Sequence, residues 1–249
     1  MITNSESNTR IDEIAEGIYR ISTPVDALPG GFTFNQILIV DEEPLLFHTG
    51  LRALFPLVSQ AIGAVMPVAK LRHISFSHFE ADESGALNSF LEAAPNAAPL
   101  CGQIAAMVSV GDYAIRPPRA LEDGETVLLG RHKVQWLATP HLPHGWECGY
   151  LFETNTRTLL CGDLFTQPGA EHPAWTEADI LEPSEQMRGM MDYYAHAPNT
   201  GAMLERLARL EPQTLACMHG ASWHGNGSRL LHDLAGRLET RAMPQSAAA

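Results

Sequence analysis

Lysine is nearly missing from this chain. Of 16 lysines and arginines in 249 residues only Lys70 and Lys133 are lysines, and 29 aspartates and glutamates leave a formal net charge of −13. A surface of that sign repels phosphate backbones and anionic lipid headgroups, so nucleic acid and membrane surfaces are excluded as expected partners. Long apolar runs are missing as well: none approaches the ~18 residues of a membrane-spanning helix. Met1–Arg10 lacks a basic start followed by an apolar stretch, so no leader is read and a cytoplasmic location is expected. Cysteine is scarce and scattered. Cys101, Cys148, Cys161 and Cys217 form no C-x-x-C pair, which argues against a zinc ribbon, a cysteine-ligated cluster and a disulfide framework.

What is present is an ordinary globular composition, 45% hydrophobic and 18% charged, with eleven histidines. That length suits one large domain, expected over residues 1–249 with 1–10 and 243–249 frayed. Alternation predicts strands over Ile11–Ile21 and Phe32–Val40 and another over Leu45–Thr49, then a helix from Phe55 to Val68. A short buried strand, His73–Ser77, leads into a helix carrying Leu87, Phe90 and Leu91. Further on come a helix over Gln103–Val110, an extended loop at Arg116–Arg119 and two hairpins, Thr126–Leu137 and Gly149–Cys161. Helices near Ser184–Tyr194 and Gly201–Leu210, a strand at Thr214–Met218 and a helix over Ser228–Thr240 follow. Strand meander, helices, strand meander, helices is the order of an α/β (α+β) fold of the four-layer αββα kind.

The chemistry collects at predicted strand ends. His78-x-Glu80-x-Asp82-Glu83 places four imidazole or carboxylate side chains in six residues between a strand and a helix. A solvated acidic turn at a helix N-terminus would account for that segment alone. However, His141 and His144 follow a second strand, Asp163 a third and His219 a fourth, each delivered into a loop by a rigid element.

On these residues the chain resembles the metallo-β-lactamase superfamily and, within it, the diiron branch of flavodiiron proteins and stand-alone oxygen-binding diiron proteins. The superfamily's hydrolases carry H-x-H-x-D-H, whereas the diiron branch carries H-x-E-x-D-H followed by Ser-Gly; this chain reads His78-Phe79-Glu80-Ala81-Asp82-Glu83-Ser84-Gly85. Eighteen residues separate His144 from Asp163, as in that family, and Asp163-Leu164-Phe165 and Tyr193-Tyr194-Ala195 are similar to its Asp-x-Phe and Tyr-Tyr-Ala segments. The resemblance implies a metallo-β-lactamase-like sandwich in which His78, Glu80 and His144 are terminal ligands of one metal, Asp82 and His219 ligands of the other, and Asp163 the bridge. Glu83 departs from the pattern, standing where most relatives have a histidine. It is open to ligating the second metal, acting through a water or capping the helix.

Glu80, Asp82, Glu83 and Asp163 together neutralise two divalent ions, and hard oxygen donors mixed with imidazole suit iron, or manganese, better than zinc. Two iron ions are therefore the expected cofactor, with manganese or zinc the alternatives. His141 is read as an orienting neighbour of His144. One of Tyr193 and Tyr194 is expected near the metals as a proton donor or reductant, and Tyr194 is taken with Glu83 as a candidate catalytic residue. Cys148, Cys161 and Cys217 are expected to line the underside of the site.

The resemblance implies a protein that binds, senses or reduces dioxygen, nitric oxide or peroxide. No Gly-rich phosphate loop or doubly wound βαβ series remains for a flavin, so no FMN is expected in this chain. Electrons would then come from a separate donor protein, and the resemblance favours a homodimer. The competing class is a dinuclear hydrolase in which metal-bound water attacks a carbonyl; Glu80, at a position where the hydrolases carry histidine, argues against it.

Overall fold

A computed structural model describes residues 1–26 and 29–242. The first half builds one sheet whose eight strands lie in chain order. They are β1 (Ile2–Asn4), β2 (Thr9–Ala15), β3 (Ile18–Val25), β4 (Phe32–Ile39), β5 (Leu45–Phe47), β6 (His73–Ser75), β7 (Ala98–Gly102) and β8 (Arg119–Leu121). Pairing is antiparallel through β5 and parallel from there. The second sheet holds β9 (Thr126–Leu128), β10 (Lys133–Ala138), β11 (Gly149–Glu153), β12 (Thr158–Leu160), β13 (Trp175–Thr176), β14 (Thr214–Ala216) and β15 (Ser222–His224), ordered β13-β15-β14-β12-β11-β10-β9.

The helices are α1 (Phe55–Gly63), α2 (Ala81–Ser84), α3 (Leu87–Ala93), α4 (Gln103–Ala105), α5 (Gly111–Tyr113), α6 (Leu181–Met190), α7 (Thr200–Ala208) and α8 (Gly227–Ala242). Side-chain alternation along the strands sorts the apolar residues into three cores. On β4, Ile37 and Ile39 face the gap between the sheets while Phe34 and Leu38 face α1 and α3. On β11 and β12, Leu151 and Leu160 face the same gap, while Tyr150, Phe152 and Leu159 face α6, α7 and α8. Helix, sheet, sheet and helix layers are thus each bound to the next by a packed apolar layer, the four-layer sandwich that the element order predicts. Buried on both faces, β4 and β11 carry apolar residues on either side, with Thr33, Asn35, Gln36 and Glu153 as buried polar residues among them.

Several boundaries differ from expectation. Ile11–Ile21 is two strands, because Gly17 turns at φ +68 and donates its N–H to Glu13 Oε1 at 2.8 Å. Residues 1–10, expected to fray, are ordered by pairing: β1 lies on β2, and the Met1 amino group binds the Ile11 carbonyl at 2.8 Å and the Asp12 carboxylate. Arg119, expected in a loop, opens the edge strand β8. The run from Gln103 to Val110 breaks into α4 and a π-helical turn before α5. Helix α6 stops at Met190, so Tyr193 and Tyr194 lie in irregular chain beyond it. Residues 243–249 lie outside the described residues. Among the described residues no helix is long and apolar enough to cross a membrane.

Candidate metal centre

Four strand ends converge at one rim of the sandwich. His78 and Glu80 follow β6, His144 follows β10, Asp163 follows β12 and His219 follows β14, while Asp82 and Glu83 lie in α2. Two of the turns need glycine. Gly162, at φ +50, precedes Asp163, and a Cβ there would come within 2.9 Å of Ser77 Oγ; Gly220, at φ +92, follows His219, and a Cβ there would meet Gln167 at 2.5 Å.

All seven residues expected as ligands are brought together, in three overlapping groups: His78, His144 and Asp163; His78, Glu80 and Glu83; and Asp82, Glu83 and His219. Glu80 Oε2 lies 3.0 Å from His78 Nε2 and 3.1 Å from His144 Nε2. Asp163 straddles the cluster: its Oδ2 is 3.7 Å from His78 Nε2 and 3.5 Å from His144 Nε2, and its Oδ1 is 3.4 Å from His219 Nε2. On the far side Asp82 Oδ2 is 3.5 Å from His219 Nε2.

The imidazoles are oriented by what lies behind them. His144 Nδ1 is 2.7 Å from the Tyr193 carbonyl oxygen and His219 Nδ1 is 2.8 Å from that of Thr33. A carbonyl only accepts, so both Nδ1 atoms carry the proton and, in the neutral rings, the Nε2 lone pairs face the cluster. His78 Nδ1 lies 3.0 Å from Ser77 Oγ, which is 3.1 Å from Nε2 of buried His48. The His219 turn is also clamped from the opposite sheet. Asn35 Nδ2 donates to the Cys217 and Gly220 carbonyls at 3.0 and 2.8 Å, and buried Arg20 donates to Gly220 at 2.6 Å.

Without a cation the charges compensate one another through protons. Burial and the charge of Asp163 push the Glu83 carboxyl well above its usual range. Burial would push Asp163 up too, but the facing His219, His78 and His144 rings hold it well below. Hydrogen bonds from His144 and His78 hold Glu80 at about 2. His78 is raised despite its burial, through Cys148, Glu80, Glu83 and Asp163. Asp163 Oδ1 and both oxygens of Glu83 are buried with no hydrogen-bond partner. Buried carboxylate oxygens left unpaired are costly. Together with three imidazole nitrogens aimed inward, they fit divalent cations, and the seven residues could hold two.

Glu83 does not cap α2, since neither of its oxygens meets a backbone N–H. His141 is exposed and outside every group, consistent with an orienting place beside His144. Tyr194 packs in the core beneath the second sheet. Tyr193, which reaches both helix-facing cores, is the one tied to the ligands, through its carbonyl. The two rings stay in contact, their centroids 4.8 Å apart and their planes tilted by 38°. The four cysteines are free and buried, with Cys161 and Cys217 side by side at 3.9 Å between sulfurs, two residues before Asp163 and His219 respectively. Thr33, Asn35, Ser77 and His48 were not singled out from sequence. Only Ser77, adjacent to His78, carried a signal that could have found it.

Known proteins share the fold and much of the sequence pattern of this chain. The model of a family described as ODP family beta lactamase matches residues 32–220. Rubredoxin-oxygen oxidoreductase of Megalodesulfovibrio gigas is 27% identical over 206 residues, 79% of this chain and 50% of that protein. Anaerobic nitric oxide reductase flavorubredoxin of Aliivibrio fischeri is 23% identical over 214 residues, 81% of this chain and 42% of that protein. Among solved structures, a flavo di-iron protein mutant from Thermotoga maritima superposes with a TM-score of 0.81 at 18% identity, covering 92% of this chain and 61% of that one. The chain therefore spans half or less of the length of these two sequence relatives.

Proposed function

The chain belongs to the ODP β-lactamase family, and on that premise we propose that it is a non-haem diiron protein that binds, senses or reduces dioxygen. His78, Glu80 and His144 would hold one ion and Asp82 and His219 the other, with Glu83 beside them and Asp163 between the two groups. The observation that carries the reading is Glu80: a carboxylate within 3.1 Å of both His78 and His144, where the zinc hydrolases of the superfamily place a third imidazole. A carboxylate in that place makes the site more electron-donating and favours iron over zinc. Ferrous ions held there would supply the electrons and open coordination positions that a small diatomic ligand needs.

The protein's own residues shape access. Glu80 and His144 are the solvent-facing ligands, and a diatomic ligand enters on their side; Asp163, Glu83 and His219 are sealed beneath. Tyr193 holds the His144 ring through its carbonyl. We place Tyr194 in a supporting and not a catalytic role. The names of the relatives fit reduction of oxygen or nitric oxide, with electrons arriving at this chain from a separate donor protein. The chain is read as one cytoplasmic domain, acting as a homodimer.

Protein purified anaerobically and loaded with ferrous iron should hold about two ions per chain and develop near-ultraviolet charge-transfer absorption when oxygen is admitted. An inert ferrous protein showing zinc-dependent esterase or lactamase activity would sink the proposal in favour of the hydrolase.

A further inference from the structure

Building on the dinuclear reading, we propose that Glu83 is a second carboxylate bridge, joining both metal positions alongside Asp163. Glu83 is 0% exposed, and both of its oxygens lack a hydrogen-bond partner. Among the described residues no lysine or arginine forms an ion pair with it; its neighbours of opposite sign reduce to His78 Nε2, at 3.9 Å from Oε1. A carboxylate sealed in that way needs a compensating cation, because burying it unpaired costs several kcal/mol or more.

Its surroundings say which cations. Glu83 groups with His78 and Glu80, ligands of the outer position, and also with Asp82 and His219, ligands of the inner one. Its backbone is fixed there: the Thr49 N–H and hydroxyl both donate to the Glu83 carbonyl, at 2.7 and 3.2 Å, and leave the side chain to point into the cluster. An imidazole at this position offers a single lone pair to one ion. A carboxylate offers two oxygens, so the glutamate can address both positions at once. Two bridging and two terminal carboxylates, Glu83 and Asp163 with Glu80 and Asp82, then carry the charge that balances two divalent ions. That raises the oxygen-donor share at both positions and makes Glu83 a determinant of selectivity for hard cations such as manganese and ferrous iron.

Manganese(II) titrated anaerobically into the metal-free protein, followed by calorimetry and native mass spectrometry, tests the bridge. The unaltered chain should take up two ions. Glu83→Gln, which keeps the shape and removes the charge, should bind the first ion and weaken the second by at least about tenfold, the lower end of what loss of outer-shell partners costs metal sites. Unchanged two-ion binding by folded Glu83→Gln would overturn the bridge and leave the dinuclear reading standing. Should Glu83→Gln fail to fold, Glu83→Asp keeps the charge on a side chain too short to span; it too should weaken the second ion, and unaltered titration would overturn the proposal. Fewer than two ions in the unaltered chain would overturn the dinuclear reading, and the bridge with it.

Discussion

The outer and inner ends of the cluster are built to different standards of rigidity. At the outer end the Glu80 side chain is 54% exposed and that of His144 is 29% exposed. His144 is held from behind by one hydrogen bond, to Tyr193. At the inner end the His219 and Asp163 side chains are 6% and 9% exposed. The His219 turn is held by Thr33, Asn35, Arg20 and Gln167 together, three of them from strands of the opposite sheet. Clamping a ligand of one sheet with polar groups of the other fixes both position and orientation before any ion arrives. The difference teaches where adjustment can occur: a ligand exchanging at the proposed site meets the loosely held carboxylate and imidazole, not the clamped ones.

The most damaging way to break this contrast is to remove the residue common to both ends. Asp163→Ala should lower the metal content from about two ions per chain to near zero, read by elemental analysis of protein shown to be folded by circular dichroism. Retention of one ion would mean that the ends are independent. Glu80→Ala should be milder, losing one ion and the oxygen-induced absorption while the urea midpoint of the metal-free protein moves little, since the side chain is half exposed. Full oxygen reactivity in Glu80→Ala would refute the outer ligand set.

The same contrast separates what could be read in the sequence from what could not. The candidate ligands were legible because His78, His144, Asp163 and His219 each follow a strand end, while the resemblance to the diiron branch joined them to Glu80, Asp82 and Glu83 in one set. The layer order was legible because β-rich segments such as 32–40 and 149–153 are followed by helical periodicities. What supports the ligands was not. Thr33 and Tyr193 act through backbone carbonyls, which every residue has, and Asn35 and Arg20 reach the His219 turn across about 185 and 200 positions of sequence. The sequence pattern carries a helix to Tyr194, whereas α6 ends at Met190, so the setting of the two tyrosines was not legible. The extra strand in Ile11–Ile21 hid because Gly17 was the only breaker in an otherwise alternating stretch.

The clamp itself can be tested one partner at a time. Asn35 is fully buried and its amide donates to two carbonyls, so Asn35→Ala takes the amide from the Cys217 carbonyl and leaves that of Gly220 with Arg20, and should cost about 1–3 kcal/mol of stability in urea. Metal affinity at the inner end should fall with it, while the Glu80-dependent ion is retained. If stability fell and both ions bound as before, the clamp would serve the fold and not the site.

The smallest expected effect belongs to His141, three residues from His144 and chemically identical to it. It stands in left-handed backbone at φ +67, exposed, with its N–H on the Gly145 carbonyl at 2.7 Å. That hydrogen bond closes the turn presenting His144 and uses the main chain alone, so His141→Ala retains it. Alanine tolerates the left-handed region at a cost of about 1 kcal/mol. Metal content and oxygen-induced absorption should therefore match the unaltered chain. Loss of an ion in His141→Ala would mean that the loop after β10 rearranges to exchange one histidine for the other, and that the outer end is looser than a single hydrogen bond to Tyr193 implies.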